Sequence, residues 1–270
     1  MAPSPTSNGL NVEVIGTGHL TTVLMHGFLG SGKNLRPLAR LWSERDPERK
    51  LVLVDLPGHG ESKALGPGAT LYTMARSVLE GVQALAFSEP FALVGHSLGG
   101  RVGLAALELE PVKVASVALL DIGPGPIDPA QSESRRVLDI LLDAPEIVTD
   151  RSQMRAFLME RGLSKALSDW ILMNLKALSD EGRSEFTWRI DRRALAELHS
   201  SFNLADLWPV VERFGSRIAC ARGERSAYVS LPDVQRLQAN GVRVQTLAGA
   251  GHYVHVDALP ELLDWLQSPI

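Results

Sequence analysis

The stretch Gly95-His96-Ser97-Leu98-Gly99-Gly100 decides how the rest of the chain is read. It follows the apolar run 91–94, which has the make-up of a buried strand, and opens the segment 98–109, whose apolar spacing is helical. A serine with glycines two residues before and after it, set between a strand and a helix, marks a turn too sharp for side chains at its flanks. Such a turn strains the serine backbone and lifts its hydroxyl above the end of the sheet. The helix that starts beside it aims its first amides at the same point. Ser97 is therefore the candidate nucleophile, and the Leu98 amide is a candidate donor to an oxyanion.

Outward from this turn, further short apolar runs read as strands: 10–15, 21–25, 51–54, 114–120, 218–221 and 242–247. Most are continuously apolar, as expected of strands covered on both faces. Between them, 34–45, 71–87, 234–239 and 258–266 carry helical spacing. Strands alternating with helices predict an α/β fold with a mostly parallel sheet. The alternation stops after Asp121, where Gly123-Pro124-Gly125-Pro126 and Asp128-Pro129 cluster turn formers. From Gln131 to about Leu207 the chain reads as helices only, over 134–142, 153–161, 165–178 and 192–201. The expectation is an α/β core carrying a helical insertion.

Ser97 needs a base and an acid. Of the seven histidines, only His252 and His255 follow the last strand. His252 is preferred, because Ala248-Gly249-Ala250-Gly251 before it is a loop of small residues and His255 lies closer to the next helix. The acid is expected to be Asp121, at the end of 114–120, with Glu224 as the alternative in the loop after 218–221. Ser226 stands where such loops commonly carry an aspartate. His26-Gly27-Phe28 ends the strand 21–25, so the Phe28 amide is the second oxyanion donor; His26 is read as structural, as is the loop at Asp55. All these positions fall at the carboxyl ends of strands, where open α/β sheets bind ligands.

The composition is ordinary for a globular chain: 270 residues, 45% hydrophobic, with 27 Lys and Arg against 31 Asp and Glu, for a formal charge of −4. That balance argues against a nucleic-acid partner. A single cysteine, Cys220, excludes an intrachain disulfide and multi-cysteine metal sites. No run of eighteen apolar residues occurs, and residues 1–8 lack the apolar core of a signal peptide. The chain reads as a soluble, cytoplasmic protein needing no metal or organic cofactor, its partner a small-molecule acyl substrate.

On five stretches the chain resembles the α/β-hydrolase superfamily: HGFLGSGKN (26–34), DLPGHGES (55–62), GHSLGG (95–100), LLDIGP (119–124) and GAGHYVH (249–255). Within it, the chain is most similar to small bacterial ybfF-type esterases and mitochondrial abhydrolase-domain relatives. The resemblance implies an eight-stranded, mostly parallel sheet formed by 1–123 and 208–270, and a helical cap over 124–207. It also supports Asp121 as acid and implies a serine esterase acting on small esters or thioesters. Menaquinone-pathway lyases share an HGFLGS-like loop and an arginine matching Arg101, which keeps a lyase or C–C hydrolase as the alternative. A remoter one is a phosphotransferase, because 27–34 nearly satisfies a phosphate-binding loop, with Asn34 where a hydroxyl should hold magnesium.

Overall fold

The computed structural model describes residues 4–85, 90–128, 132–180 and 183–268. The end of the helix expected over 71–87 lies outside them, as do Pro129 and Gln131.

The strands are β1 (Ser4–Pro5), β2 (Asn11–Ile15), β3 (Leu20–Met25), β4 (Arg49–Val54), β5 (Phe91–His96), β6 (Val114–Leu120), β7 (Ile147–Val148), β8 (Leu175–Asp180), β9 (Arg183–Trp188), β10 (Ile218–Gly223) and β11 (Arg243–Leu247). Eight form one sheet, in the order β1-β2-β4-β3-β5-β6-β10-β11. β1 and β2 pair antiparallel and β2 joins β4 antiparallel; the remaining neighbours are parallel.

The helices are α1 (Arg36–Arg45), α2 (Leu71–Gln83), α3 (Leu98–Leu109), α4 (Glu133–Leu142), α5 (Arg151–Glu160), α6 (Lys165–Ile171), α7 (Arg192–Leu204), α8 (Trp208–Phe214), α9 (Leu231–Ala239), α10 (Val254–Asp257) and α11 (Leu259–Leu266). Alternate strand residues feed two cores. Leu24, Leu53, Val94 and Leu120 pack with Leu38 and Trp42 of α1 and Leu262 and Leu263 of α11. Val23, Met25, Leu93 and Leu119 pack with α2, α3 and α8. The period of two explains why these strands read as continuous apolar runs: each face needs its own set.

Between β6 and α8 the chain leaves the sheet, and here the expectation of helices alone is corrected. β7, β9 and β8 form a separate three-stranded antiparallel sheet. The helix expected over 165–178 stops at Ile171, passes through a 3-10 turn at Leu172–Asn174, and becomes β8. Leu175, Ala177 and Leu178 favour helix locally, but pairing with β9 overrides that preference. β9 carried a readable signal: Phe186, Thr187 and Trp188 favour strands, and Trp188 is buried with its indole N–H on the Pro145 carbonyl at 2.8 Å.

The two stems of this excursion are tied together. Ile127 N–H donates to Asn203 O at 2.8 Å, and Leu207 N–H to Pro124 O at 2.9 Å. Arg101 of α3, 1% exposed, donates to Gly123 O and Gly125 O on one stem and to Phe202 O and Ala205 O on the other. Burial lowers its pKa to about 10. No described helix is long and apolar enough to cross a membrane.

Candidate active site

Ser97 joins β5 to α3 with φ 50° and ψ −116°, a conformation unfavourable for any residue with a side chain. Neighbouring elements hold it there. Its N–H donates to Leu120 O of β6 at 3.0 Å, and its carbonyl accepts from Gly100 N–H at 2.9 Å. The flanking glycines are steric requirements. A Cβ on Gly95 would lie 2.2 Å from the Gly99 carbonyl carbon, and one on Gly99 would lie 2.3 Å from Met25 O.

Asp121 follows β6 directly and is fully buried, also at positive φ (54°), with its N–H on Ala221 O of β10 at 2.8 Å. Its carboxylate has three donors. Oδ1 accepts from Gly223 N–H at 2.8 Å, and Oδ2 accepts from the Ser226 hydroxyl and from His252 Nδ1 at 2.7 Å. With Nδ1–H committed to Asp121, the His252 tautomer leaves Nε2 as the free acceptor. Ser226 therefore stands beside the carboxylate that holds His252. Glu224 is exposed, and its Oε2 accepts from Gly249 N–H at 2.7 Å, bracing the loop rather than His252.

Two supports of His252 carried no clear sequence signal. Tyr228 stacks on its ring, centroids 4.0 Å apart at 24°. His96 places Nε2 2.9 Å from the His252 carbonyl, tethering the loop. His96 is buried, and burial pushes its pKa well down, so it is a neutral donor. The rival His255 packs against His96 at 4.6 Å, and burial lowers its pKa to about 4.

His26 is buried, with Nδ1 2.7 Å from Gly27 O while Nε2 accepts from Leu56 N–H at 2.9 Å. It joins the loop after β3 to the loop after β4. Asp55 organises the same junction, accepting from Gly32 N–H at 2.7 Å, Asn11 Nδ2 at 2.8 Å and Glu61 N–H at 2.9 Å. Phe28 lines the cavity at Ser97, and its amide meets no acceptor among the described residues. Leu98 is the first residue of α3, so its amide has no helical carbonyl to meet. Leu29, the third described non-glycine residue with positive φ (61°), accepts at its carbonyl from Asn174 Nδ2 at 2.9 Å, which ties the excursion to this loop.

Ser97 and His252 open onto one cavity of about 50 Å³, walled by the loop after β3 and by α4 and α6. In the near-match to a phosphate loop three central amides are occupied: Gly30 N–H is on Gly27 O, Ser31 N–H on Asn34 Oδ1 and Gly32 N–H on Asp55 Oδ1. Cys220 is buried in β10, and burial raises its thiol to about 12.

Residues 22–265 match the alpha/beta hydrolase family. The chain is 28% identical over 255 residues to the sn-1-specific diacylglycerol lipase ABHD11 of Mus musculus, covering 91% of this chain and 79% of that protein. It is 27% identical over 241 residues to a 2-succinyl-6-hydroxy-2,4-cyclohexadiene-1-carboxylate synthase of Yersinia pestis, covering 86% of this chain and 80% of that one. Among solved structures, a marine microorganism esterase matches with a TM-score of 0.82 at 20% identity, over 96% of this chain and 98% of that chain.

Proposed function

The chain belongs to the alpha/beta hydrolase family, and from that premise we propose that it is a serine esterase working through Ser97, His252 and Asp121. One observation carries the reading. A serine held in a strained turn shares a cavity with a histidine whose Nδ1 is fixed, 2.7 Å away, by a fully buried carboxylate.

His252 Nε2 takes the Ser97 proton as Oγ attacks the acyl carbonyl. Asp121 stabilises the imidazolium that forms, and Gly223 N–H and the Ser226 hydroxyl keep its carboxylate in place. The Phe28 and Leu98 amides receive the oxyanion, each such donor contributing about 3 kcal/mol in the transition state. His252 returns its proton to the departing alcohol or thiol, and water then hydrolyses the acyl-enzyme by the same relay in reverse. Residues 124–207 act as the cap that closes the cavity over Ser97. The lyase reading draws no support from Arg101, whose guanidinium is consumed by four backbone carbonyls.

The test is a burst experiment with p-nitrophenyl acetate. Wild type should release a burst of nitrophenol, and Ser97→Ala should abolish it. Asp121→Asn should lower kcat by about 10³–10⁴, and Glu224→Gln should leave it within twofold. A burst retained without Ser97 refutes the nucleophile, and the reverse ranking of the two carboxyl variants refutes the acid.

A further inference from the structure

The cavity above Ser97 is small. Its volume of about 50 Å³ compares with the roughly 150 Å³ of an apolar protein cavity that encloses benzene. A space of that scale favours short acyl groups over long ones. The walls are apolar, formed by Phe28 and Leu29 on the core side and Val137, Leu167 and Trp170 on the other. Polar groups beside Ser97 and His252 are His96, Ser134, Tyr228, Tyr253 and Glu133, the exposed first residue of α4. Among the described lining residues it is the only acidic side chain, and no lysine or arginine lines the cavity.

The field of Glu133 reaches the catalytic base's surroundings. Tyr228, stacked on His252, and Tyr253 beside it both have raised pKa values; burial is the main cause and Glu133 the next. Four arginines of the excursion are engaged elsewhere. Arg135 pairs with Asp139 at 2.9 Å, Arg136 donates to Gly162 O, and Arg192 holds the Leu141 and Ala144 carbonyls and Glu146. Arg193 lies on a different groove.

We infer that the site accepts esters of short, uncharged acyl groups and that Glu133 is the residue that sets the charge preference, repelling substrates with an anionic group near the acyl carbonyl. The inference rests on Ser97 being the nucleophile. A carboxylate at the mouth of a low-dielectric cavity acts on a second carboxylate more strongly than it would in water. Because Glu133 is exposed, added salt weakens the effect.

The experiment compares kcat/KM for p-nitrophenyl pentanoate, its near-isostere p-nitrophenyl hemisuccinate, and p-nitrophenyl octanoate, with buffer hydrolysis subtracted. Pentanoate should exceed hemisuccinate by at least fivefold and octanoate by at least tenfold. Glu133→Gln should shrink the pentanoate-to-hemisuccinate ratio severalfold and leave the pentanoate-to-octanoate ratio in place. In wild type, 0.5 M NaCl should shrink the first ratio, and in Glu133→Gln it should not. Equal rates on pentanoate and hemisuccinate, an unchanged first ratio in Glu133→Gln, or preference for octanoate overturns the inference. If Ser97→Ala is then inactive, the nucleophile assignment still stands. Turnover that survives in Ser97→Ala overturns both.

Discussion

Leu29, Ser97 and Asp121 are the three described non-glycine residues with positive φ, and all three border one cavity or the carboxylate behind it. Strain of this kind costs about 1–3 kcal/mol per residue and persists only where surrounding bonds over-determine the backbone. At Ser97 those bonds come from β6 and α3, and at Asp121 from β10. Ser97→Gly should therefore raise stability by about 1 kcal/mol, the relieved strain less the added freedom of the unfolded chain, read as a higher urea midpoint. An unchanged or lower midpoint would show that the turn is not strained. Ser97 was legible because glycine spacing and strand–helix context are local. The partnership of Ser226 with Asp121 was not, because 105 residues separate them and only the pairing of β6 with β10 brings them together.

At the scale of elements, the sheet strands were readable because burial on both faces leaves a continuous apolar run. In the excursion between β6 and α8 the helices α4, α5 and α7 were readable by their spacing, but β8 was not, because its pairing with β9, rather than local preference, decides the conformation. Arg101 shows the same limit. Its place after the double glycine matches an arginine of menaquinone-pathway lyases, yet its side chain fastens both stems of the excursion to α3. Arg101→Met should lose about 3 kcal/mol or more, because four buried or part-buried carbonyls lose their donor. Limited proteolysis should then cut near 123–125 and 202–205 while the wild-type stems resist. Wild-type stability and protease resistance in the variant would mean that the stems hold without it.

For the whole molecule, a set of buried neutral histidines governs acid stability. Burial lowers the pKa of His59 to about 3 and of His255 to about 4, and it lowers those of His26 and His96 as well. The folded pKa values lie below the unfolded value near 6.5, so the unfolded chain binds more protons between the two. Stability is complete above pH 6.5 and falls as the pH drops toward 4. At pH 5, His59 and His255 should each have removed about 2 kcal/mol, seen as a fall in urea midpoint between pH 7 and pH 5. A flat midpoint over that interval would show that these rings are not held neutral.

The sequence by itself determined the parallel α/β core, the serine turn and the late histidine loop, because each is written in residues adjacent along the chain, through apolar runs or glycine spacing. Only the tertiary structure decided which carboxylate meets His252, what Arg101 holds, how the excursion folds and which charge faces the cavity. Each of these depends on contacts between segments far apart in the chain, and backbone pairing and burial choose those contacts.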